Sequence, residues 1–261
     1  HSVMGDSHGA LFGQGCLQPG KIKATYGTGS SIMMNIGEKP ILSTHGVVTS
    51  LAWKIGGHVN YVLEGNLNYT GAVITWLKDD LELISSAAET EALANKAVKE
   101  DGLYLVPAFS GLGAPYWDSD ARAAIVGMSR TTRKAELVRA ALECIAYQIT
   151  DVVKAMSEDS KICIGQLCVD GGPTRNAYLM QFQSDLLTAD VMVPNAEELS
   201  AIGPAYAAGL RLGLWDETIF TKLKRTAYKP SMEDKKRTQK YAGWKEAVKS
   251  VLCHNKMAGK D

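Results

Sequence analysis

Apolar and polar positions change their period along the chain. Between residues 22 and 36 two β-type runs flank the turn Gly27-Thr28-Gly29, the local signature of a hairpin. Residues 46–54 and 58–64 repeat that pattern around Gly56-Gly57 and predict a second strand pair. A helix is expected over 68–81, with Gly71 and Ala72 near its start and Trp76-Leu77 further along. Residues 86–100 are rich in alanine, glutamate and lysine and fit a surface helix. Residues 103–109 and 123–128 read as strands, separated by a loop at 110–121 that is dense in turn residues.

Helical spacing is clearest over 134–157, where Leu137, Ala141, Cys144 or Ile145, Gln148 and Val152 recur on one side, with lysine and glutamate opposite. A β run at 166–170 ends in Asp170-Gly171-Gly172 and leads to a predicted helix at 176–188, a strand at 191–194 and a helix at 201–213. The segment 232–253 predicts a charged helix with Tyr241, Trp244, Val248 and Val251 on its apolar stripe. Strands dominate the first half, and strands alternate with helices in the second. That order predicts one α/β layered domain with a mixed sheet.

Composition removes several function classes. The 261 residues are 46% hydrophobic and 21% charged, a globular rather than a disordered balance. Lysine plus arginine and aspartate plus glutamate are equal at 28 each, so no basic excess points to nucleic acid. Apolar stretches are interrupted well before membrane-spanning length, so no membrane role is expected. The cysteines are Cys16, Cys144, Cys163, Cys168 and Cys253, irregularly spaced and without a C-x-x-C unit. They predict buried thiols in a reduced cytoplasmic protein, and no metal-ligand set. The first residues show neither a charged n-region nor an apolar h-region, so no secretory leader is expected.

Four segments carry candidate chemistry. A strand–glycine turn–strand such as Gly27-Thr28-Gly29-Ser30-Ser31 gathers backbone N–H groups that suit phosphate oxygens; most such turns only reverse the chain. Asp170-Gly171-Gly172-Pro173-Thr174-Arg175-Asn176 follows a β run and opens a helix, the geometry of an anion or nucleotide site or of a plain capped βα turn. The run Glu198-Leu199-Ser200-Ala201-Ile202-Gly203-Pro204-Ala205 starts a small-residue helix suited to close packing. Asp6, in Gly5-Asp6-Ser7-His8, is either a turn acid or a general base for a hydroxyl, an effect worth about 10²–10⁴ in rate. No H-E-x-x-H, nucleophile elbow, Walker A or G-x-G-x-x-G is present.

Taken in order, these segments resemble the C-terminal domain of the FGGY carbohydrate kinases. The resemblance is carried by Gly5-Asp6 with Ala10-Leu11-Phe12-Gly13-Gln14, by Thr25-Tyr26-Gly27-Thr28-Gly29, and by Met34-Asn35-Ile36-Gly37-Glu38-Lys39. It continues through Leu63-Glu64-Gly65, Trp76-Leu77, the run Val106-Pro107-Ala108-Phe109-Ser110-Gly111-Leu112-Gly113-Ala114-Pro115-Tyr116-Trp117-Asp118, Val169-Asp170-Gly171-Gly172, Leu179-Met180-Gln181-Phe182-Gln183-Ser184-Asp185 and Ala242-Gly243-Trp244. Within the family the chain is most similar to the glycerol-phosphorylating branch.

The resemblance implies an actin-like, ribonuclease-H-like ATPase domain: a mixed sheet flanked by helices, spanning 1–261, with ATP and Mg²⁺ as cofactors. It implies that Asp6 is the general base and that Thr28, with Gly29, contacts phosphate. Gly71, Thr75, Gly172 and Asn176 match nucleotide-facing positions, and Ser7 and Ser31 match the acceptor end. The partners implied are ATP, a small polyol or sugar, and an N-terminal domain of the same protein that lies outside this chain; the 261 residues alone are then expected to be inactive. Asp6 lies close to the chain start, which agrees with half the site lying upstream. Three positions depart from the glycerol branch. Ser7 stands where glutamine is usual, Ser31 where an aromatic is usual, and Thr75 where glutamine is usual. The first two enlarge and polarise the acceptor end, which keeps open a larger polyol or a ketose such as a pentulose. A non-catalytic actin-like ATP-binding module is the reading from another class, and homo-oligomer formation is left open.

Overall fold

The computed structural model describes residues 2–98, 102–196 and 198–258, with 253–258 as backbone alone. The hairpin strands β1 (Ile22–Tyr26) and β2 (Ser30–Gly37) pair antiparallel, with Tyr26 opposite Ser30 and Ile22 opposite Met34. β3 (Val48–Ile55) and β4 (His58–Leu67) extend that side antiparallel. On the other side β1 is parallel to β7 (Gln166–Asp170), which is parallel to β8 (Asp190–Pro194). β9 (Arg225–Tyr228) closes the edge antiparallel to β8. The sheet order is β3-β4-β2-β1-β7-β8-β9, the expected mixed sheet. Two short strands, β5 (Tyr104–Val106) and β6 (Ala124–Val126), form a separate ladder.

Helices cover both faces. α4 (Lys134–Ser160) is buried along most of its length and packs with Ile22, Ala24, Tyr26, Ile32 and Leu63 in the main core. Gly65 lets α4 approach the sheet: a Cβ there would lie 2.5 Å from Val152. α5 (Ala177–Leu187) and α7 (Asp234–Ala258) complete this layer. Asp151 fastens it. Its buried carboxylate accepts Tyr116 Oη at 2.7 Å, Tyr241 Oη at 2.6 Å and Trp244 Nε1 at 2.7 Å. Burial and that carboxylate push both tyrosine hydroxyls well above their ordinary range.

On the opposite face lie α1 (Asp6–Gly13) and α6 (Leu199–Arg211). The small residues of α6 serve close packing, since a Cβ on Gly203 would stand 1.8 Å from the Gly9 carbonyl oxygen. α1 is a correction to the sequence reading, which assigned no helix there. Its eight residues include two glycines and carry little amphipathic signal, and contact with α6 is what supports it.

Other boundaries shift for local reasons. The expected 68–81 helix becomes α2 (Gly71–Thr75) followed by a π-helical turn, Trp76–Asp80. It begins late because Thr70 sits at φ −125°, ψ −85°, outside helical space. The 86–100 helix is observed as α3 (Glu89–Lys96), ended by extended Ala97; positions 99 and 100 lie outside the described residues. The strands expected at 103–109 and 123–128 shorten to three residues each, because a loop of tight turns spans between them. β9, four residues on the sheet edge, was not anticipated.

Candidate nucleotide and phosphoryl-transfer site

A cleft of about 570 Å³ opens beside α2, α3 and the start of α5. Gly71, Thr75, Gly172 and Asn176, four of the residues singled out in the sequence, all line it. Ile74, Leu142, Ile145 and Leu179 supply its apolar floor. Size and lining suit a nucleoside, with an apolar slot for a base and a few polar groups to orient it. Lys78, Glu91 and Arg175 also line the cleft and were not singled out. Only Arg175, just after Gly171-Gly172, stood beside a glycine turn in the sequence.

The glycine turns shape this cleft by close approach. Gly171 holds φ +96° and a Cβ there would meet the Tyr26 carbonyl oxygen at 1.9 Å, so only glycine fits where β7 leaves the sheet. Gly172 has open space beside it and borders the cleft. Asn176 caps α5: its Oδ1 accepts the Leu179 amide at 3.0 Å, and its Nδ2 donates to Thr90 Oγ1 at 3.0 Å. One Nδ2 hydrogen is left for a ligand. Thr75 Oγ1 donates back to the Gly71 carbonyl at 3.4 Å.

The hairpin tip docks onto the start of α2. The Gly71 amide donates to the Gly27 carbonyl at 2.9 Å, and the amides of Thr70 and Ala72 donate to the Thr28 carbonyl at 3.1 and 3.0 Å. Buried Thr70 Oγ1 lies 2.9 Å from Ser30 Oγ. A Cβ on Gly71 would stand 2.4 Å from the Gly27 oxygen, and one on Gly29 would stand 2.3 Å from the Leu67 oxygen. Exposed Thr28 is thereby fixed next to Gly71, which lines the cleft.

Asp6, Ser7 and Ser31 lie on the α1 side of the sheet. Asp6 is the exposed first residue of α1, a favourable place for a carboxylate, and its Oδ1 accepts the Ser7 amide at 2.6 Å. Ser7 and Ser31 are half-buried. Beneath them is a feature that the sequence reading missed: Lys23, fully buried in β1. Its Nζ donates to Thr25 Oγ1 at 3.0 Å, to the Ser31 carbonyl at 3.2 Å and to Ser31 Oγ at 3.3 Å. Burial lowers its ammonium to about 8, against the pull of the Asp170 and Asp6 carboxylates. Asp170 is itself buried and its carboxyl is raised by that burial, while Gln14 Nε2 lies 3.5 Å from its Oδ2. Strand alternation from Ile22 and Ala24, which face α4, was the one available signal that Lys23 points the other way.

The conspicuous run 107–118 supports the site from behind. Phe109 packs between Tyr69, at 5.1 Å, and Trp76, at 5.0 Å, bracing both ends of α2. Gln148 Nε2 holds the Tyr69 carbonyl at 3.0 Å. Among the described residues no group of three or more histidine, cysteine, aspartate or glutamate side chains is placed to hold a metal ion.

The mixed sheet with its glycine hairpin and glycine-glycine turn has the actin-like ATPase fold, as solved structures that match it show. The chain superposes on the crystal structure of Plasmodium falciparum glycerol kinase with ADP at a TM-score of 0.89 and 36% identity, over 95% of this chain and 50% of that one. A ligand-bound xylulose kinase from Lactobacillus acidophilus shares the fold at a TM-score of 0.78 and 19% identity, over 97% of this chain and 50% of that one. The sequence pattern of the FGGY family of carbohydrate kinases, C-terminal domain, matches residues 22–212. The chain belongs to that family. It is 49% identical to the glycerol kinase of Geobacillus kaustophilus, over 95% of this chain and 51% of the relative. It is 48% identical to that of Thermus thermophilus, over 95% and 51%. The chain thus spans about half the length of the curated relatives it matches.

Proposed function

We propose that this chain is the nucleotide-binding half of an ATP-dependent kinase that phosphorylates a primary hydroxyl of glycerol or a related polyol or sugar. The observation that carries this reading is the continuity of three parts: the cleft of Gly71, Thr75, Gly172 and Asn176, the Thr28 hairpin at its edge, and Asp6 on the acceptor side. The relatives at about half identity are glycerol kinases, which favours a glycerol-type acceptor.

In this reading the cleft holds the adenosine moiety, and the hairpin places Thr28 and Gly29 against the phosphates. Asp6 accepts the acceptor hydroxyl's proton as its oxygen attacks the γ-phosphorus in line. Positioning and charge stabilisation dominate phosphoryl transfer, which is the part the hairpin plays beside the base. Mg²⁺ carried by the nucleotide would supply part of the charge neutralisation at the phosphates that Thr28 and Gly29 face. Ser7 and Ser31 border the acceptor, and an N-terminal domain outside this chain closes over it and excludes water. We place the protein in the cytoplasm; no helix among the described residues is long and apolar enough to cross a membrane.

The deciding experiment is ATP turnover by the full-length enzyme on a panel of glycerol, larger polyols and ketoses. A rate that rises with an added acceptor supports the kinase, and acceptor-independent ATP binding without turnover replaces it with a non-catalytic module. The short side chains of Ser7 and Ser31 favour a second reading of the acceptor end, in which a larger polyol or a pentulose outcompetes glycerol; strong preference for glycerol removes it. The 261-residue chain alone is expected to bind ADP weakly and to turn nothing over.

A further inference from the structure

Lys23 has no part in the reading above, yet its surroundings are built around it. Strand register places Thr25 opposite Ser31 on β2 and opposite Asp170 on β7. Paired residues share a face, so Ser31, Thr25 and Asp170 form one row across three strands, on the face that α1 covers. Lys23 is two residues before Thr25 on the same face, and its side chain reaches that row, where Nζ finds three acceptors for its three hydrogens. Two of the three belong to Ser31, at the acceptor end.

The groups whose charge reaches Lys23 come from the elements around it that carry titratable side chains. They are Asp170 of β7, Asp6 of α1, Cys16 after α1, and Glu64 of β4. Asp170 is 5% exposed; burial raises its carboxyl, against hydrogen bonding from Thr25 and Gln14 and the charge of Lys23. Burying an ammonium is costly, and an apolar side chain of similar length would fill the same space without that cost. The lysine therefore reads as a charge held in place for the site it underlies.

We propose that Lys23 is a positioning residue for phosphoryl transfer: its buried ammonium fixes Ser31 at the acceptor end and sets a positive charge beneath Asp6 and Asp170, where a triphosphate arrives. Without it, an anionic nucleotide meets these two carboxylates without the Lys23 charge to offset them. The inference rests on the kinase reading for its consequence in catalysis, and on the hydrogen bonds from Lys23 Nζ to Thr25 and Ser31 for its geometry.

Three variants of the full-length enzyme test it: Lys23→Arg, Lys23→Met and Asp6→Asn. Deprotonation of Lys23 removes the charge, so wild-type kcat/KM falls as pH rises through about 8. The fall comes with no loss of Tm in that window, because a lysine whose ammonium is destabilised by folding favours the folded state as pH rises past that value. Lys23→Arg keeps the charge, retains activity and loses the limb near 8. Lys23→Met loses about tenfold or more in kcat/KM at every pH and also lacks that limb. Wild-type kcat/KM in Lys23→Met, or an unmoved limb in Lys23→Arg, overturns the proposal. A Lys23→Met chain that does not fold leaves Lys23→Arg to decide. Lysine Cε NMR gives a readout independent of turnover: the Lys23 titration midpoint near 8 falls in Asp6→Asn, since Asp6 raises it. If no acceptor on the panel is phosphorylated, the kinase reading fails, and an unchanged midpoint in Asp6→Asn then removes the Lys23 assignment separately.

Discussion

The two faces of the central sheet are built on opposite terms. Toward α4, β1 presents Ile22, Ala24 and Tyr26 to a mainly apolar core, in which buried polar groups such as Asp151, Gln183 and the Lys240–Glu143 pair are hydrogen-bonded. Toward α1, the same strand presents Lys23 and Thr25, joined by Asp170, Ser31 and Gln14. The first face is made to exclude water. The second keeps a buried ammonium and a buried carboxylate beside the candidate base, at an energetic cost that an apolar packing would not incur. A single strand thus faces the main core on one side and the proposed acceptor end on the other.

Asp6→Asn on the charged face is the sharpest way to separate the two. In the full-length enzyme turnover is expected to fall by about 10²–10⁴, roughly 3–5 kcal/mol of barrier, while ADP affinity and Tm stay near wild type. Steady-state kinetics with calorimetric ADP titration checks this; near-normal turnover removes Asp6 from its role.

Ile149→Ala makes the opposite cut. Ile149 is fully buried in α4 among the main core, and its loss is expected to cost about 2–5 kcal/mol in stability through burial and cavity terms. Urea unfolding of the 261-residue chain measures it. A change below half a kilocalorie would mean that the site collapses freely around the gap.

Gly71→Ala tests the seam between faces. Its Cβ would stand 2.4 Å from the Gly27 oxygen, so hairpin and α2 must separate. Overpacking of this kind costs about 1–3 kcal/mol. ADP affinity is expected to fall by roughly tenfold as Thr28 shifts, an equilibrium dialysis measurement; unchanged affinity would detach the hairpin from the nucleotide cleft.

The smallest effect is expected of Asn176→Ala. Removing the α5 cap costs about 0.5–2 kcal/mol. Because most of the Asn176 side chain is committed to Leu179 and Thr90, loss of ADP affinity should track loss of stability. A large affinity loss with unchanged Tm would make Asn176 a direct ligand.

Much of this organisation was readable from residue order. The hairpin at 22–36, the long helix near 134–157 and the Asp170-Gly171-Gly172 turn all announced themselves through period and turn residues. So did Gly71, Thr75, Gly172 and Asn176, through resemblance, and the fold brings all four to one cleft. α1 and β9 were missed because each is short and is held by a neighbour distant in sequence, Gly203 for one and β8 for the other. Lys23 was missed because a lysine in a strand reads as solvent-facing until a helix is known to cover it.

Local chemistry in the sequence therefore determined the mixed α/β class, the glycine turns and the carboxylate candidate, since periodicity and backbone freedom are properties of a few consecutive residues. Only the tertiary structure decided that the hairpin tip joins α2, that the Phe109 run braces α2 rather than lining the cleft, and that Lys23 is buried against Thr25 and Ser31. Those are consequences of which surfaces meet, and burial is what turns an ordinary lysine into a group with an unusual charge balance.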